Sequence, residues 1–154
     1  MIAVLIFLAF LLSSALAGTI LNRIVVEFPA RRKIGYVAYA NYTRAADLGN
    51  GLWFYPFLAI GSLLLELAAL AFWLFDALPP RLITPISAAV LFSVGVMVTT
   101  AVAAPLMLRI GKTDVAQEVT SLLDRFVRVN YIRAVFIWLQ WLALLWATHR
   151  IAIL

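Results

Sequence analysis

Residues 1 to 22 contain no charged side chain, and three further apolar runs of similar size follow along the chain. A helix advances about 1.5 Å per residue, so about 20 residues cross the about 30 Å hydrocarbon core of a bilayer. The first run ends at Arg23, near Glu27. The second extends from Trp53 to Phe75 with Glu66 as its single charge, and closes at Asp76, Pro79 and Pro80. The third lies between Arg81 and Arg109, uncharged throughout, with Pro85 and Pro105 near its ends, where a membrane helix tolerates proline. Residues 134 to 148 are also uncharged but too few to cross alone. That span must borrow Val129 to Arg133 and the terminal Ile151 to Leu154, with the Arg133 guanidinium reaching back to the headgroups. The expected fold is therefore all-α: one domain over residues 1–154, an integral membrane four-helix transmembrane bundle with spans 2–22, 53–75, 83–108 and 130–150.

Composition points the same way. The chain is 66% hydrophobic and 12% charged, with mean hydropathy +1.05, whereas a soluble domain is about half apolar and about a quarter charged. A soluble fold of this length hides only about two-thirds of its unfolded surface, so the lipid bilayer is the expected partner for the rest. Ala15-Leu16-Ala17 has the small residues of a signal cleavage site. No basic segment precedes it, however, and the apolar run continues through Ile20 and Leu21, so the segment reads as a retained helix. The absence of cysteine excludes disulfides, thiolate metal sites and cysteine nucleophiles. The net charge of +5 flanks the apolar spans, where it meets anionic headgroups and sets orientation, which argues against nucleic acid.

Ten of the 12 basic residues fall in or beside the first and third connections, leaving only Arg81 and Arg150 for the other side. The positive-inside tendency then places both large connections in the cytoplasm and both termini outside, in what reads as a bacterial inner membrane. Both connections are expected to carry amphipathic helices. In the first, a helix begins at Pro29 and places Ile34, Val37, Ala38, Asn41 and Ala45 on one face, stopping at Gly49-Asn50-Gly51. In the third, Asp114 and Gln117 have capping-box spacing ahead of Val115, Val119, Leu122 and Phe126, which recur at helical intervals.

Five polar residues within the spans are the candidate ligand-binding set: Asn130, Arg133, Tyr55, Gln140 and Glu66. An acid deep in a span is costly unless it is protonated, paired or wet, so Glu66 is expected to face the bundle interior. Its estimated depth is close to that of Ser13 and Ser14, which makes those hydroxyls its expected partners. The bland reading of Glu66 is a hydrogen bond between helices, and the functional one a proton carrier or ligand contact. Gln140, Thr99 and Thr100 fall at one depth, with Asn22, Arg23, Tyr55, Asn130, Tyr131 and Arg133 nearer the surface, a set able to line a cavity. Arg133 is a rigid multi-donor suited to a carboxylate, phosphate or phenolate. The five tryptophans read as an aromatic belt and bundle packing, with Trp138 and Trp141 also able to stack a flat ligand. His149 is the single histidine, carboxylates do not cluster near it, and neither a metal nor a cofactor is expected.

Several short motifs resemble the anthrone-oxygenase-like family. They are Ala17-Gly18-Thr19, Pro29 opening a tyrosine-bearing helix, Asp47 to Gly51, Tyr55-Pro56, Thr99-Thr100 through Pro105-Leu106, and Leu122 to Phe126 followed by Asn130 to Ala134. The resemblance covers most of the chain and implies a small four-helix membrane protein. It further implies oxidation of polycyclic anthrones by oxygen without metal or flavin, which needs a flat apolar pocket, a base and a cation, the last assigned to Arg133. Two functions fit these readings. One is a membrane protein that binds or oxidises a lipophilic aromatic molecule of quinone or anthrone type. The alternative is a non-catalytic accessory subunit of a larger membrane complex or homo-oligomer, with Ser14 and Gly18 spaced for close helix contact.

Overall fold

The computed structural model describes residues 1–75, 79–113 and 115–152, without the side chains of Trp73 and Leu74. Regular structure among these residues is helical throughout. Helix α1 (Ile2–Asn22), a π-helical turn (Arg23–Glu27) and α2 (Phe28–Ile34) form one continuous rod of 33 residues. Then come α3 (Tyr36–Asp47), α4 (Gly51–Ala71) with a 3₁₀ turn at Phe72–Phe75, α5 (Pro80–Ile110) and α6 (Ala116–Ala152). The first rod, α4, α5 and α6 are each long and apolar enough to cross a membrane. The chain is thus a membrane protein with four candidate spans. Asp76, the expected end of the second span, Asp114 of the expected capping box, and Ile153 and Leu154 lie outside the described residues.

Helix α1 packs against α4 and α6, and α5 packs against the same two, closing a ring of four. Small residues line the contacts: Ala9, Ala69, Ala89 and Ala147 are wholly buried, as are Ser13 and Ser62. Lipid gives no hydrophobic drive for helices to associate, so close backbone approach and its dispersion energy hold such a bundle together. Outward positions carry the large apolar side chains instead, among them Phe7, Phe57, Leu64, Leu91 and Leu142.

Three of the four rods are longer than their expected spans. Residues 116–152 contain neither Gly nor Pro, so the separate amphipathic helix expected before the fourth span is the same 37-residue helix, about 55 Å long. Val119, Leu122 and Phe126 are buried as their spacing implies, while Val115 is 62% exposed. The helix expected from Pro29 is broken at Gly35, whose φ of 89° disfavours any side chain. Beyond the break the buried residues are Tyr39, Ala40, Thr43 and Asp47, and the five face residues Ile34, Val37, Ala38, Asn41 and Ala45 are exposed. Periodicity chose the more apolar face, whereas packing chose the face whose carboxylate meets an arginine of the first rod.

The two large connections close over one end of the bundle. Phe28, Tyr39, Met107, Ile110, Leu123 and Phe126 share one buried cluster there. The Arg44 guanidinium donates to the Ile110 carbonyl through Nε (3.0 Å) and Nη2 (2.8 Å), and to the Thr113 carbonyl, capping the end of α5. Arg31 pairs with Asp124 at 3.1 Å. Both connections therefore lie on one side, as four crossings require. Within this cap, burial, with the negative charge of Glu27 adding to it, pushes the Tyr39 phenol up to about 12, and the same causes raise that of Tyr42.

Candidate ligand site

Arg23 is the first residue of the π-helical turn. Such a turn inserts an extra residue into the helical register, and single π turns recur at functional sites. Arg23 is 6% exposed, and its guanidinium forms a buried ion pair with Asp47 of α3. Arg23 Nη2 also donates to the Tyr55 hydroxyl at 3.3 Å, and the guanidinium carbon lies 4.8 Å from the Tyr55 ring centroid. Glu27, one turn on, approaches Arg23 Nε only to 3.9 Å and accepts a hydrogen bond from Asn22 at 2.8 Å. Facing this assembly from α6, Arg133 Nη2 donates to Asn130 Oδ1 at 2.5 Å, and Asn130 Nδ2 donates to its own helix at the Phe126 carbonyl, 2.8 Å away.

Two cavities meet at these residues. One, of about 200 Å³, is walled by Leu16, Ala59, Val96 and Ile137 from the four rods. The other, of about 150 Å³, runs under the cap past Asp47, Met107 and Phe126. Arg23, Tyr55, Pro56, Thr100 and Arg133 belong to both walls. The charged side chains of the two linings are two guanidiniums and one carboxylate, and the carboxylate is taken by Arg23. Arg133 Nε, Arg23 Nε and Asp47 Oδ2 are buried without a hydrogen-bond partner among the described residues. Unmet buried donors and acceptors are costly, so this is a place where the fold leaves hydrogen bonds for something else to make. The lining of the second cavity also includes exposed residues of α4 (Leu52, Pro56) and α5 (Ala104, Leu108), so this cavity opens between these two helices.

The five sequence candidates separate into two groups. Tyr55 and Arg133 line the cavities and Asn130, wholly buried, holds Arg133. Glu66 and Gln140 line neither cavity. Glu66 Oε1 accepts from Gln140 Nε2 (2.7 Å) and Ser62 Oγ (3.0 Å), its Oε2 accepts from Ser93 Oγ (2.6 Å), and Gln140 Nε2 also reaches Ser62 Oγ (2.9 Å). This network lies one layer further from the cap. Ser13, Ser62, Ser93 and Gln140 each stand three residues from the cavity residues Leu16, Ala59, Val96 and Ile137 on the same helices, a step of about 4.5 Å.

The expected partnership of Glu66 with Ser13 and Ser14 is corrected. Ser14 donates to the Phe10 carbonyl and accepts from Trp141 Nε1 at 2.9 Å, and Ser13 Oγ is buried without a partner. Counting residues gives depth along a helix but not which neighbour it faces. Ser14 is thus engaged within the chain, while Gly18 is exposed with open space beside it. Thr99 and Thr100 return their hydroxyls to carbonyls of their own helix. Trp138 and Trp141 stack edge to face, 5.6 Å apart, and line neither cavity. Among the described residues no cluster of three His, Cys, Asp or Glu could hold a metal ion. Asp47 is the site residue that sequence reasoning passed over; its signal was that, besides Glu27, it is the one acid in the strongly basic first connection. No protein-family model, no curated protein and no solved structure matches the chain.

Proposed function

We propose that the chain binds a lipophilic aromatic molecule inside the membrane, presenting Arg133 to an anionic oxygen of that molecule. The observation that carries the reading is the buried, unpartnered Nε of Arg133 at the wall shared by two largely apolar cavities. A guanidinium offers several donors in a fixed plane, suited to a phenolate or carboxylate. The apolar walls suit a hydrocarbon frame, and the opening between α4 and α5 gives a molecule dissolved in the bilayer a way in. The two cavities together reach the lower end of the about 300–1,000 Å³ typical of small-molecule sites.

The resemblance to anthrone-oxygenase-like proteins narrows the ligand to a polycyclic phenol and adds oxidation by oxygen as the reaction. In this reading Arg133 holds the phenolate, Tyr55 and the Arg23–Asp47 pair frame it, and the large connections face the cytoplasm of an inner membrane. The test is a titration of a hydroxyanthraquinone into the protein in nanodiscs, followed by quenching of tryptophan fluorescence, against anthraquinone lacking the hydroxyl. The hydroxylated probe is expected to bind at least about tenfold more tightly, and Arg133→Gln to abolish that preference, in line with about 1.5–3 kcal/mol for a hydrogen bond to a charged group. Equal binding of both probes, or an unchanged preference in Arg133→Gln, overturns the reading.

A further inference from the structure

A second cluster of arginines stands away from the cavities. Arg109 near the end of α5 and Arg125 and Arg128 on α6 line one cleft of about 280 Å³. Its remaining walls are Val102, Pro105, Leu106 and Val129, with no acidic side chain among them. All three guanidiniums are exposed, and none takes an ion pair among the described residues. The nearest acid in sequence, Asp124, is engaged by Arg31 from the opposite connection, and Glu118 accepts from Thr113. Three like charges are thus gathered without an ion-pair partner among the described residues.

The level of the cleft in the membrane follows from the fold. Leu52, at the start of the α4 span, lines the same cavity as Leu108, so Arg109 stands where that span leaves the hydrocarbon. The neighbouring Trp53 is 64% exposed, as expected of a tryptophan at the headgroup level, where tryptophans collect. From Arg109 back to Val102 the cleft descends seven residues of α5, about 10 Å, from guanidiniums to bare aliphatic surface. Pro105 and Leu106 line the descent.

We infer that this cleft is a binding site for an anionic phospholipid, its phosphate held by Arg109, Arg125 and Arg128 and the start of an acyl chain laid along Val102 and Leu106. Charge and depth together select this occupant. A soluble phosphate matches the guanidiniums but has no use for the apolar half, and a zwitterionic lipid matches the apolar half but brings its own ammonium to three arginines. Basic pockets between membrane helices bind anionic headgroups in this manner, and each arginine near the surface contributes about fivefold to affinity.

Native mass spectrometry of the whole protein in mild detergent, with added phosphatidylglycerol or phosphatidylcholine of identical chains, tests it. The wild type is expected to bind phosphatidylglycerol at least about tenfold more tightly, and Arg125→Gln/Arg128→Gln to weaken it by about thirtyfold, to the phosphatidylcholine level. Arg81→Gln/Arg150→Gln, on the other side, is expected to change nothing. Should the double variant unfold, Arg109→Gln alone, with an expected loss of about fivefold, replaces it. Equal affinity for the two lipids, or for wild type and cleft variants, overturns the inference. Displacement of the lipid by inorganic phosphate also overturns it, assigning the guanidiniums to a soluble anion.

Discussion

Two layers of the same bundle bury polar groups, and they differ in how far the charged ones are satisfied. Around Glu66, three donors from three positions converge on one carboxylate, which lines neither of the two cavities. One layer nearer the cap, Arg133 has one hydrogen-bond partner among the described residues, its Nε and Asp47 Oδ2 have none among them, and both cavities adjoin it. The closed layer fixes which helix faces which, because a polar group in lipid is cheap only when its partner is in register. The open layer gives up hydrogen bonds the fold could have made. That is the pattern the proposed ligand site requires, since sites trade local stability for a ligand.

If the two layers differ in this way, substitutions should separate them. The largest effect is expected for Asp47→Ala, which leaves Arg23 buried without its carboxylate; removing one member of a buried pair costs about 3–5 kcal/mol, read as a lowered midpoint of thermal unfolding in detergent. Glu66→Ala comes next. It strands the Ser93 hydroxyl and the Gln140 amide, at about 1–3 kcal/mol for a buried group left unsatisfied, and should leave binding of the hydroxyanthraquinone probe unchanged. Arg133→Gln should do the reverse, losing probe affinity about tenfold or more while stability stays within about 1 kcal/mol of wild type, since the group removed was itself incompletely satisfied. A strongly destabilised Arg133→Gln that still binds the probe would erase the distinction between the layers.

The smallest effect is confined to alkaline pH and to the cap. Tyr39 is neutral in both folded and unfolded chains below about 10, its usual value, so its contribution is fully present there. Between 10 and about 12 the unfolded chain releases the phenol proton while the folded chain keeps it, and the contribution is lost as pH rises through that window. Tyrosinate absorbance should therefore show a phenol titrating near 12 in the folded protein, and Tyr39→Phe should remove it.

The spans were legible because lipid demands length, and uncharged runs display length directly. The identity of Arg133 and Tyr55 as neighbours was also within reach, since both fall near the same boundary of their spans. What the sequence hid depended on rotation about helix axes. Ser14 and Ser13 share the depth expected of Glu66 partners, yet Ser62, one turn away on its own helix, and Ser93 hold the carboxylate. The π-helical turn at Arg23 adds a further rotation that no 3.6-residue count includes. On α3 the exposed apolar residues Val37 and Ala38 outweighed Asp47 in the pattern, although the ion pair to Arg23 decided which face turned inward.

The contrast between the layers can be put to one direct measurement: native mass spectrometry of the protein released from gently extracted membranes, for the wild type, Glu66→Gln and Arg133→Gln. The account predicts a bound aromatic, non-lipid molecule in the wild type and in Glu66→Gln, and its loss in Arg133→Gln. A wild-type protein that carries no such molecule and binds no hydroxyanthraquinone, or a molecule retained equally by Arg133→Gln, would contradict it.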